Sequence, residues 1–183
     1  EEVASLSCIS KRDLFDDSDA FTDKIFEAQE LVKYNIKADV ARAFIDLNRP
    51  PDAIPPAFPD GVVKSRTCYR KPIYKQAITK ETTDKLLANY YFPYHNKIKN
   101  IVQDTSLILG LDCHSMAEKP PPIAPDNHDK RPLINLGNAY GNACDFETTE
   151  LLAQCFEEIF FIEPAKISRS EERRVGKECA TGC

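Results

Sequence analysis

The chain has 183 residues, 24 basic and 29 acidic side chains and a net charge of −5, with 42% hydrophobic and 29% charged residues. That balance belongs to an ordinary globular protein, which argues against a disordered or fibrous one, and an acidic pI of about 5.3 argues against broad nucleic-acid binding. No apolar run approaches the roughly 18 residues of a membrane helix, and EEVASLSCIS at the N-terminus is no signal peptide, so no membrane partner is expected.

Asp19–Tyr34 is predicted to be an amphipathic helix, with Phe21, Ile25, Phe26, Leu31 and Val32 near one face and Asp16–Ser18 supplying the cap. Val40–Leu47 suits a short strand ending in Asp46-Leu47-Asn48-Arg49. Pro50–Gly61 holds five prolines and must be a loop. Thr79–Asp104 has helical spacing with Thr79 or Thr82 as cap, and Pro93 predicts a kink or break. Ser106–Leu111 (SLILGL) reads as a strand buried on both faces that ends in Asp112-Cys113-His114-Ser115. A proline-rich loop over Lys119–Lys130, a strand over Pro132–Leu136 and a helix over Phe146–Phe160 follow. Leu151, Leu152, Cys155, Phe156 and Ile159 are expected to face inward, and a further strand to begin at Phe160.

Strands alternating with helices predict an α/β sandwich with a mostly parallel sheet, where ligands gather beyond the carboxyl ends of the strands. Residues 1–166 form the expected domain. Residues 167–183 change to charge without apolar period and read as a disordered or foreign tail. The seven cysteines are odd in number and lack a CxxC pair, so reduced thiols in a cytoplasmic protein are expected. The chain begins at Glu1 without Met, which fits a fragment or processed product.

Candidate chemistry lies at the two polar strand ends. His114 beside Asp112 and Ser115 is either a zinc ligand oriented by a carboxylate or a hydrogen-bonded histidine. Arg49 is either a fork for a substrate carboxylate or one half of an ion pair with Asp46 or Asp52. Asp16, Asp17 and Asp19 read as caps, with one a candidate metal carboxylate. His95 reads as structural or solvent-facing, His128 as a loop residue, and Cys113 as a small inward-packing side chain. There is no phosphate loop and no GxSxG elbow.

Five pieces in order resemble the N-formylglutamate amidohydrolase family. They are Asp17-Ser18-Asp19-Ala20-Phe21-Thr22-Asp23, Phe44-Ile45-Asp46-Leu47-Asn48-Arg49-Pro50, Tyr91-Phe92-Pro93-Tyr94-His95, Leu111-Asp112-Cys113-His114-Ser115-Met116, and Ile134-Asn135-Leu136-Gly137-Asn138 with Gly141. The resemblance runs from about Asp13 to Pro164. It implies a zinc carboxypeptidase-like, three-layer α/β/α sandwich that hydrolyses the formyl amide of N-formyl-L-glutamate to formate and L-glutamate, a step of histidine degradation. It further implies His114 and Asp19 as zinc ligands, with Asp17 less favoured, and Arg49 helped by Asn48 as the clamp on a small N-acyl amino acid substrate. His95 is implied as a supporting, substrate-contacting or catalytic residue. Zinc would polarise a water against the formyl carbon while a glutamate moves the proton.

Two family features have no counterpart in the chain, the early Pro-His-Ser/Gly-Gly strand end with the first zinc histidine and the later strand end with the glutamate base. The expectation is a fragment lacking both ends, inactive by itself, with no candidate here for the general base. The alternatives are a zinc hydrolase of another N-acyl amino acid or peptide end, and a non-catalytic carboxylate-binding module. Nothing in the sequence fixes the oligomeric state.

Overall fold

The computed structural model describes residues 3–124 and 131–170; His128 and the expected tail beyond Ser170 lie outside them. The chain divides into two units, Glu1–Met116 with Pro121–Ile123, and Ala117–Pro120 with Ala124–Cys183. Helices and a small parallel sheet make it a mixed α/β fold.

In the first unit, Ser10 Oγ accepts the Asp13 N–H at 3.0 Å and opens α1, Lys11–Asp16, where the sequence was read only as a cap. The amphipathic helix expected next shrinks to a single turn, α2, Thr22–Ile25, entered through Phe21 in the left-handed region at φ 62°. Short helices rely on tertiary packing of their apolar face. This face finds little: Leu31 is 88% exposed. Val40–Leu47 forms turns and not the expected strand, because the Phe44 and Ile45 N–H groups both turn back to the Ala41 carbonyl. Those turns drop Ala43 and Ile45 into a core shared with Val62, Val63, Ile73 and Leu86. The proline-rich segment is irregular, as expected, and runs into Gly61, where a Cβ would overlap the Ala53 carbonyl oxygen and sit 2.6 Å from its carbon.

Thr79 Oγ1 accepts the Thr82 N–H and opens α3, Lys80–Leu86. A π-helical turn, Leu87–Tyr91, leads into α4, Phe92–Ile101. The Phe92 N–H reaches the Leu87 carbonyl five residues back. A proline ring at position 93 would clash with the carbonyl four residues earlier in a tight α-turn, and the wider turn relieves that. The break expected at Pro93 therefore takes the form of a bulge. Ser106–Leu111 is not a strand, and Ile108 is fully exposed. An apolar run becomes a strand only beside a partner, and among the described residues this one has none.

The second unit is a βαβ arrangement. β1, Ile134–Gly137, pairs in parallel with β2, Ile167–Ser170, in the register Ile134 to Ile167, and α5, Phe146–Phe160, packs on both. Asp145 Oδ1 takes the Thr148 N–H at 2.6 Å to start α5, and Phe161 at φ 54° ends it. The inward stripe is Thr149, Leu152, Ala153 and Phe156, while Leu151 and Ile159 face out, a correction of about one position to the expected face. The strand expected from Phe160 begins at Ile167, so residues 167–170, expected to open a disordered or foreign tail, are instead drawn into the sheet by pairing with β1. Arg169 on β2 pairs with Glu150 and Glu157 of α5. No helix among the described residues is long and apolar enough to cross a membrane.

Candidate active site

Two segments 95 residues apart in sequence are joined at two points. His114 Nδ1 lies 2.5 Å from Asp19 Oδ2, and the Ser115 hydroxyl donates to the Ala20 carbonyl at 2.7 Å. The two residues that the resemblance pairs as metal ligands are thus neighbours. Asp17 points elsewhere: one carboxylate oxygen takes the Cys68 N–H at 2.6 Å and the other faces Lys64 Nζ at 3.2 Å. Asp16 stays on the exposed end of α1, near Arg12.

Asn48 brings the third segment in, its carboxamide nitrogen 3.3 Å from His114 Nε2. That nitrogen also lies 3.1 Å from Asp112 Oδ1. Asp46 Oδ1 accepts the Asn48 N–H, which holds the turn that carries Asn48 and Arg49. Arg49 Nη2 donates to Asp60 Oδ2 at 2.9 Å, and its Nε sits 3.7 Å from Asp46. Of the two ion-pair partners expected for Arg49, Asp46 and Asp52, Asp46 is near; the main partner is Asp60, which was not among them. His95 is part of the same assembly: its ring packs against Tyr91, tilted by 39° with centroids 4.2 Å apart, and Nε2, facing a carbonyl oxygen, donates to Leu47 at 2.9 Å. It anchors the Asn48–Arg49 turn from α4.

Three residues of this cluster escaped the sequence reading: Arg42, Lys64 and Asp60. Arg42 bridges Asp46 and Asp19 through Nε and Nη1 at 2.9 and 2.8 Å. Its i,i+4 spacing to Asp46 was a legible signal. Lys64, only 1% exposed, faces Asp17, Asp46 and Asp60. The sequence holds no signal for it beyond its place after the apolar pair Val62-Val63.

The electrostatics follow from this packing. Burial raises the Asp19 pKa, but the His114 hydrogen bond and the Arg42 charge outweigh it and hold the carboxyl below its usual range. Burial opposes charge on His114, yet hydrogen bonds and charge from Asp112 and Asp19 lift its pKa from 6.5 to about 10. A histidine raised on folding stabilises the fold fully below its unfolded pKa and loses that contribution as pH climbs through the folded value. In the metal-free chain, stability against urea is expected to fall between pH 7 and 10, and the slope to flatten in His114→Gln. A variant with the unmodified slope would show that His114 is not the group responsible. Cys113 is half-buried, and burial with Asp112 nearby raises its pKa.

A catalytic zinc has three protein ligands. Here the donors face one another, His114 between two aspartates and Asp19 toward Arg42. Among the described residues no three His, Cys, Asp or Glu side chains converge for a metal ion. His114 and Asp19 are two candidate donors and do not by themselves complete a zinc site.

A family model described as N-formylglutamate amidohydrolase matches residues 1–163. No curated protein and no solved structure matches the chain.

Proposed function

The chain belongs to the N-formylglutamate amidohydrolase family, and from that premise we propose that the cluster binds N-formyl-L-glutamate and is built for its hydrolysis to formate and L-glutamate. The observation that carries the reading is the contact of Asn48 with His114, 66 residues away in sequence. It joins the fork of Arg49 and Asn48 to the His114 imidazole. A substrate carboxylate held by Arg49 and Asn48 would present its formyl amide toward His114. Doubly anchored by Asp19 and Asp112, His114 is oriented before substrate arrives. Arg42 fixes Asp19 in that arrangement, and His95 fixes the turn.

Zinc binding at His114 and Asp19, which the resemblance implies, would need a third donor from outside the described residues. The three-layer sandwich of the family is likewise part of this proposal. With two candidate donors among the described residues, turnover is expected to depend on a further donor joining them. That same shortfall favours a second reading, a carboxylate-binding module without catalysis.

Calorimetry with N-formyl-L-glutamate, in chelator and then with zinc, tests both. Arg49→Ala is expected to weaken binding at least about tenfold, the loss of a charge-assisted bidentate contact. Equal affinity in the variant would remove Arg49 from the site. Formate release that appears only with zinc would favour the hydrolase over the module.

A further inference from the structure

We infer that Asp60 is a built-in competitor for the carboxylate that Arg49 would bind, and so sets the affinity of the site for acidic ligands. The inference rests on the reading of Arg49 as the clamp. Arg49 and Asp60 are each about a quarter exposed, at 24% and 27% of their side chains, so a dissolved ligand can reach the pair. Asp60 offers Arg49 what a substrate would, a carboxylate oxygen at 2.9 Å. It does so with one hydrogen bond, where a fork-to-fork pair would make two. Arg49 Nε is buried and has no hydrogen-bond partner.

What makes Asp60 exchangeable is its other oxygen. Oδ1 lies 3.1 Å from Lys64 Nζ, off the angle of a hydrogen bond, so the contact is between charges. When a ligand takes Arg49, Asp60 keeps the Lys64 charge beside it and no carboxylate is stranded. Lys64 is itself fixed, buried with Asp17 at 3.2 Å and Asp46 at 3.7 Å. Displacement therefore swaps one carboxylate for another at Arg49 without opening the buried network. A binding-competent state that is only partly populated raises the apparent Kd by the inverse of its fraction. If the pair is closed in about nine molecules of ten, the effect is about tenfold.

The test is calorimetry of N-formyl-L-glutamate on the full 183-residue chain in chelator. Asp60→Asn is expected to tighten binding about tenfold, and Asp60→Glu, which keeps the charge, to stay within about threefold. Asp60→Ser carries the same expectation as Asp60→Asn and replaces it should circular dichroism show that variant unfolded. Asp52→Asn, which removes a charge from the same loop, is expected to change nothing. Unchanged or weaker binding in both neutral variants, with Arg49→Ala still damaging, overturns the competitor role and leaves the clamp standing. Equal tightening in Asp52→Asn overturns it too, since net charge would then explain the gain. Absence of binding in every variant, or binding indifferent to Arg49→Ala, overturns the clamp and the competitor together.

Discussion

Gly61→Ala is expected to cost about 3 kcal/mol and to lower the melting temperature by roughly 6–12 °C, the upper part of the range for overpacking in a chain of this size. The added methyl would overlap the Ala53 carbonyl oxygen and lie 2.6 Å from its carbon. Both atoms are backbone, so no side chain can swing aside. Ala53 cannot retreat freely either. Its carbonyl accepts the Val62 N–H at 2.7 Å, and the Val62 carbonyl in turn accepts the Asp46 N–H at 2.7 Å. The clash would thus travel from the proline-rich loop through the fully buried Val62 to the turn that carries Asn48 and Arg49. Urea unfolding followed by circular dichroism measures the loss. A change under about 1 kcal/mol would mean that the Ala53 peptide relaxes without breaking that chain of hydrogen bonds.

Lys64→Met is expected to cost about 3–5 kcal/mol, the usual penalty for removing one partner of a buried ionic group. Methionine fills the space but leaves three aspartates without the cation they share. The burden falls unevenly. Asp46 retains Arg42 at 2.9 Å and Asp60 retains Arg49 at 2.9 Å. Asp17 is 3% exposed and, with Lys64 gone, keeps no cation within ion-pair distance among the described residues, though the Cys68 N–H still donates to it. Asp17→Asn in the Lys64→Met background should therefore recover stability, giving a coupling of at least about 1 kcal/mol in a double-mutant cycle. Strict additivity would show that Lys64 and Asp17 are not energetically paired. Chelated calorimetry on the same variants separates the two roles of the network, because losing Lys64 also frees Asp60 to press more closely on Arg49.

The sequence speaks most clearly where structure is local. Thr79 announces α3, because a cap and the turn it satisfies lie within four residues. Five prolines likewise suffice to make 50–61 irregular. Val40–Leu47 and Ser106–Leu111 were misread because apolar content says that a segment is fit for a sheet without saying whether a neighbouring strand exists. The candidate site divides in the same way. Asp19, Asn48, Arg49, His95 and His114 stand out through motif resemblance and fall in one cluster. Lys64 and Asp60 do not: a lysine in a charged stretch reads as solvated. Its burial depends on aspartates at 17, 46 and 60, which only the folded chain assembles. Arg49 shows both of its foreseen faces at once, a part-exposed fork and an ion pair, and only the position of Asp60 reveals that the two compete.

The π-helical turn at 87–91 also governs how the long helical run is to be counted. A turn closed by a five-residue bond carries one residue more than an α-helix uses, so the run beyond it is advanced by about 100° of azimuth relative to the run before. A single helical wheel drawn over Lys80–Ile101 has no one correct phase. Leu86 and Tyr91 report the side that meets the core, whereas His95, past the slip, reports the side that meets Leu47. The extra residue acts as a vernier between two registers. It lets one continuous rod serve a hydrophobic interior along its first half and aim an imidazole at a loop carbonyl along its second.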